Sequence, residues 1–130
     1  MSIVRPFIID SSIVLAVLRN EQGGKRAAEL ALGAIMSSVN LAEVVTKCVE
    51  FEIDPNEAVQ FIARRNIDIV EFRFEDGVLA GRLMAVAPKG RLSLGDRACL
   101  ATAIRLDSTA LTADRVWAEL DLPCKVELIR

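Results

Sequence analysis

The chain has 130 residues, 52% hydrophobic and 26% charged, which suits one domain with a buried core and excludes a disordered chain. Its formal net charge of −2 runs against the basic balance usual in nucleic-acid binders. It contains no histidine and no tyrosine, which excludes histidine triads, histidine-ligated zinc and histidine general acid–base chemistry; carboxylates, with or without a metal, are the tools left to an enzyme.

Taken in order, short apolar runs alternate with helical patterns. PFII is a strand candidate, followed by a helix through SSIVLAVLRN. Gly23 and Gly24 read as a loop, and a second helix covers Lys25 to Ala31. GAIMS is the next strand candidate, with a helix from about Val39 to Phe51 behind it. Asp54 can cap a further helix that has Pro55 at its first position. NIDIVEF alternates like a strand, and a helix near Glu75 to Val86 ends before Pro88. LSLGDRACLATAIRL opens another helix, STALT is a strand candidate, a short helix runs through Trp117, and VELI is the last strand. This alternation predicts an α/β domain with a mainly parallel sheet, filling residues 1–130 as one unit.

A mean hydropathy of +0.36 points to an apolar surface covered by a partner or a second subunit. No apolar run reaches the roughly 18 residues of a membrane helix. Arg5 and Asp10 interrupt the apolar N-terminus and make it a poor signal peptide, so a cytoplasmic protein is expected. Cys48, Cys99 and Cys124 are odd in number and lack metal-type spacing, which predicts buried free thiols. There is no phosphate-binding loop and no G-x-G-x-x-G. Glu50, Glu52 and the pair Arg64-Arg65 read as solvated surface.

Parallel α/β sheets carry their sites beyond the carboxyl ends of the strands. Asp10 directly follows PFII, and Asp114 closely follows TALT. Each also suits a helix N-cap, although Ser11 or Ser12 could serve in place of Asp10. Thr112 stands either as a strand-end residue or as a polar neighbour of a site, and Trp117 reads as packing. On a helical wheel Asp96 shares the apolar stripe: Leu100 lies about 40° away and Ala103 about −20°, while Arg97, Ala101 and Arg105 point elsewhere. A capping box between Ser93 and Asp96 explains a carboxylate there without requiring that it face inward. Glu43 falls roughly 140° from the stripe of Leu41, Val44, Val45 and Cys48, where periodicity alone favours a surface pair with Lys47.

The stretches IIDSSIVLAVL, SSVNLAEVV, LSLGDRACLATA and LTADRVWAEL occur in the order and approximate spacing of PIN-domain proteins. D-S-S alone is common, but the ordered set covers nearly the whole chain and resembles most of all the toxin ribonucleases of VapBC-type toxin–antitoxin pairs. The resemblance implies a three-layer α/β/α sandwich and an acidic cluster that holds Mg²⁺ or Mn²⁺ and hydrolyses RNA phosphodiesters. By that resemblance the catalytic and metal-binding acids are Asp10, Glu43, Asp96 and Asp114, supported by Ser12, Asn40 and Thr112. It further implies a homodimer and an antitoxin whose tail blocks the site. Under this reading Glu43 lines a cleft, because a polar helix face meets a cleft as readily as bulk water. Oxygen ligands suit these hard cations, and converging carboxylates repel without one. Of eighteen acids four are the implied ligands, which leaves fourteen against sixteen bases; arginines such as Arg64, Arg65, Arg97 and Arg115 are then free to hold RNA.

Two other readings compete. One is a catalytically silent binding domain on the same fold. The other is an aspartyl-phosphate-handling α/β domain, which fits poorly: a response-regulator receiver has adjacent acids after its first strand and an aspartyl phosphatase a D-x-D, whereas Asp10 precedes Ser11 and Ser12.

Overall fold

The structure is a computed structural model that describes residues 5–87 and 90–130. Five short strands, β1 (Ile8–Ile9), β2 (Ile35–Ser37), β3 (Asp68–Val70), β4 (Ala110–Thr112) and β5 (Val126–Leu128), form one sheet. Every pairing is parallel and the spatial order is β3-β2-β1-β4-β5. Six α-helices surround it: α1 (Ser11–Leu18), α2 (Gly24–Leu30), α3 (Ser38–Glu50), α4 (Pro55–Arg64), α5 (Phe74–Arg82) and α6 (Leu94–Arg105). The 3₁₀ turn Leu83–Val86 extends α5, and a second 3₁₀ turn covers Arg115–Glu119. The expected elements are all present, with strands shorter than the apolar runs that announce them. Pro88, expected to stop the α5 region, lies outside the described residues.

Alternation along each strand builds two cores. Ile9, Met36 and Leu111 face one side, where they pack with Ile13 and Val14 of α1, Ala27 of α2, Val44 and Cys48 of α3, and Phe61 and Ile62 of α4. Ile8 and Ala110 face the other side and meet Ala80 of α5 and Cys99, Leu100 and Ala103 of α6. The result is the expected α/β/α sandwich. Helix α6 lies between the sheet and α5, and small residues let it sit close. Ala101 is therefore wholly buried, although periodicity turns it away from the apolar stripe. A wheel marks one apolar stripe, but a helix covered on two sides has two.

Local chemistry fixes the helix starts. Asp54 caps α4 by accepting from the Asn56 N–H (3.0 Å), with Pro55 at the first position, as expected. Ser37 caps α3 by accepting from the Val39 N–H (3.2 Å). Ser93 and Asp96 form the predicted capping box on α6: the Asp96 N–H donates to Ser93 Oγ (3.1 Å) and the Ser93 N–H to Asp96 Oδ2 (2.9 Å). None of the described helices is long and apolar enough to cross a membrane. All three cysteines are free; Cys48 and Cys99 are buried, but Cys124 is only half-buried. Burial pushes the Cys99 thiol well above its ordinary value, with the Asp10 charge adding to it, so it is an inert packing group.

The strand order turns round between β1 and β4. The chain winds outward from β1 through β2 to β3, then crosses by α5 and α6 to β4 and β5 on the other side. Such a reversal leaves a crevice beyond the carboxyl ends of the two strands that flank it.

Candidate active site

Asp10 and Asp114 follow the two strands at this crevice. Asp10 closes β1 and is itself the N-cap of α1: its Oδ1 accepts from the Ser12 N–H (3.1 Å) and from the Ser12 hydroxyl. The serines therefore do not replace it as the cap, contrary to what the sequence allowed. Its Oδ2 accepts from the Thr112 hydroxyl at 2.6 Å, across to β4. The same hydroxyls accept backbone donors in turn, Ser12 Oγ from the Ala113 N–H (2.9 Å) and Thr112 Oγ1 from the Asp114 N–H (3.1 Å). Asp114 caps the following 3₁₀ turn through the Val116 N–H (3.0 Å). Ser12 and Thr112 thus stitch the ends of two strands into one polar floor beneath Asp10 and Asp114.

Glu43 and Asp96 reach the crevice from opposite faces of the sheet. Glu43 is half-buried on α3, and it does not pair with Lys47, which bonds Glu50 instead (3.1 Å). The surface-pair reading from periodicity is therefore wrong. Asn40, wholly buried one turn earlier, donates from Nδ2 to Glu43 Oε1 (2.9 Å) and to the Gly95 carbonyl (3.0 Å). The Glu43 carboxyl group consequently lies over Gly95, the residue before Asp96. Spacing does not single out Gly95; its only signal is a glycine inside a helix, where alanine is the better former.

Electrostatics tie the acids together. Burial pushes the Asp10 carboxyl up from 3.8 to about 7; the Ser12 and Thr112 hydroxyls pull the other way and the Asp96 charge adds to the rise. Asp96 is also raised, first by burial, with the Ser93 hydrogen bonds opposing and the charges of Asp114 and Glu43 adding. Among the described residues none of the four acids is in an ion pair; all seven ion pairs use other carboxylates.

Among the described residues no three Asp, Glu or Cys side chains are drawn together closely enough to enclose a metal ion. The four acids border the crevice without closing on a point. Their chemistry nevertheless fits a hard divalent cation. The donors are all oxygens, and among the described residues no cationic side chain pairs with them. The buried Oδ1 of Asn40 also has no hydrogen-bond partner, an orphaned acceptor at the edge of the acidic crevice.

The arginines expected to be free are not all so. Arg97 donates to the Ala80 carbonyl (3.0 Å). Arg105, not one of those four arginines, pairs with the buried Asp76 (2.6 Å), a joint between α5 and α6 that the sequence did not reveal. Arg64 and Arg115 remain exposed, while Arg65 is half-buried near the Phe61 ring.

Residues 7–122 match the PIN domain. No curated protein matches the sequence significantly. Among solved structures, the chain is similar to a toxin–antitoxin complex from Klebsiella pneumoniae, with 17% identity, a TM-score of 0.73, and 95% of this chain and 98% of that chain covered. It is similar to VapBC2 from Rickettsia felis bound to a DNA fragment from their promoter (14% identity, TM-score 0.66, 93% and 96% covered). It also resembles DNA-bound VapBC from Salmonella typhimurium (15% identity, TM-score 0.69, 98% and 100% covered). At these identities the likeness is one of fold.

Proposed function

This chain belongs to the PIN-domain family, and on that premise we propose that it is a Mg²⁺- or Mn²⁺-dependent endoribonuclease, the toxin of a type II toxin–antitoxin pair. The observation that carries this reading is the crevice itself. Four acids from separate elements border the crevice where the strand order reverses, and none has a cationic partner among the described residues. The structural neighbours, themselves toxin–antitoxin complexes, support the biological role.

Asp10, Glu43, Asp96 and Asp114 would hold the cation, with Ser12, Thr112 and Asn40 setting their orientation. A divalent cation supplies charge stabilisation at the phosphate and makes water a better nucleophile. The chain's own part is positional. The two hydroxyls fix both oxygens of Asp10, and the Asn40 amide fixes Glu43. Arg115, exposed and next to Asp114 in sequence, is available to the RNA backbone. The proposal includes one PIN-like domain over residues 1–130, a homodimer, a cognate antitoxin and a cytoplasmic setting. Exposed Phe74, Val78, Met84 and Val86 supply the uncovered apolar surface that the hydropathy called for. An aspartyl-phosphate intermediate is disfavoured, because Asp10 is 4% exposed with both oxygens already engaged.

The test is cleavage of total RNA, including tRNA and rRNA, by antitoxin-free protein with Mg²⁺ or Mn²⁺ and with EDTA. Cut products should appear only with metal and should vanish in folded Asp10→Asn and Asp96→Asn proteins. Absence of any metal-dependent product from wild type leaves the silent binding domain as the better reading.

A further inference from the structure

Glycine is a poor helix former. In a helix interior it is less favourable than alanine by about 1 kcal/mol, because it loses more backbone freedom. Gly95 is the second residue of α6, and its backbone is not in the left-handed region that would demand glycine. The demand comes from across the crevice: a methyl group on Gly95 would overlap the Glu43 carboxyl group, both oxygens and the carbon between them. The same two residues are joined by Asn40, whose one amide nitrogen bonds the Glu43 carboxylate and the Gly95 carbonyl. Helices on opposite faces of the sheet thus meet at a point where one side chain is missing and another fills its place.

We propose that Gly95 and Asn40 are positioning residues for Glu43. Gly95 leaves the space, and Asn40 holds the carboxylate in it, against the first turn of α6 and beside Asp96, so that both acids face one cation. This rests on the cation-site reading given above. It adds a residue whose role lies in lacking a side chain. The Glu43 charge already acts on Asp96, which accords with their being neighbours.

Gly95→Ala separates positioning from folding. Alanine favours the helix, and the obstructing group is the movable end of a side chain, so the thermal midpoint should stay level or rise while Glu43 is displaced. Mn²⁺ titrated into EDTA-stripped protein, followed by calorimetry, should bind the variant about 10–100-fold more weakly, the usual cost of disturbing a ligand's support. Shortening the acid should restore the fit. Gly95→Ala combined with Glu43→Asp should bind within about threefold of Glu43→Asp alone, since the shorter carboxylate no longer occupies the space. In a Glu43→Ala background, Gly95→Ala should cost no further affinity and should raise the midpoint more than it does in wild type. Wild type that binds Mn²⁺ with Gly95→Ala equally tight, or a loss that persists unchanged without Glu43, overturns the positioning role and leaves the cation site standing. Wild type that binds no Mn²⁺ overturns the cation site, and the midpoint cycle then decides alone whether Gly95 accommodates Glu43.

Discussion

Asp76 and Asp10 are both buried and both stand where a helix begins, but only Asp76 has a cation of its own. Asp76 accepts from the Arg73 N–H (3.0 Å) at the start of α5 and from Arg105 Nε (2.6 Å) on α6. Asp10 has only hydroxyls and a backbone N–H, and burial holds its carboxyl near 7. They are the two buried acids among the described residues. A buried carboxylate with an internal partner is a joint between elements. One without a partner is pushed toward its neutral form unless a charge from outside reaches it. The first lies between two helices, and the second lies where the strand order leaves a crevice.

The largest effect should come from breaking the joint. Arg105→Ala strands the Asp76 charge in the core and should destabilise the fold by about 3–5 kcal/mol in denaturant melts. A loss below about 1 kcal/mol would mean that Asp76 is solvated in solution and that the contrast with Asp10 is false.

The second effect concerns pH and belongs to Asp10. Its folded value is raised above the unfolded 3.8, so the stability due to its protonated form is full below 3.8 and is lost as pH rises toward about 7. EDTA-treated protein should therefore weaken across that window relative to Asp10→Asn, by up to about 1.4 kcal/mol per pH unit. Parallel stability curves for the two proteins would show that Asp10 is not held neutral by burial.

Thr112→Val is a smaller intervention. It removes the hydroxyl from Asp10 Oδ2 and from the Asp114 N–H, and should cost about 1–3 kcal/mol. It should also move the Asp10 loss to higher pH, because that hydrogen bond favours the charged form. A shift to lower pH would contradict the assigned hydrogen bond.

The alternation of apolar runs was enough to read the α/β order and the parallel sheet. Strand-end placement then drew attention to Asp10 and Asp114, since a parallel sheet exposes its carboxyl edge. Four features escaped the local pattern of the sequence for physical reasons. Ala101 lies on a second covered face, which a single stripe does not describe. Glu43 is polar-faced in any account, and only the neighbouring α6 tells cleft from solvent. The Asp76–Arg105 joint spans 29 residues, and no local pattern relates its two ends. Gly95 is the sharpest case, because its contribution is empty space filled by a residue far away in the chain.

The most direct test of the contrast is the thermal midpoint of EDTA-stripped protein as Mn²⁺ is added at pH 8. Ligand that binds only the folded state stabilises it by about 2.7 kcal/mol at a hundred times its dissociation constant. Wild type should rise saturably with Mn²⁺, and Asp10→Asn should not respond. A flat wild-type midpoint, or an equal rise in Asp10→Asn, would contradict the claim that the uncompensated acids around Asp10 are a cation site.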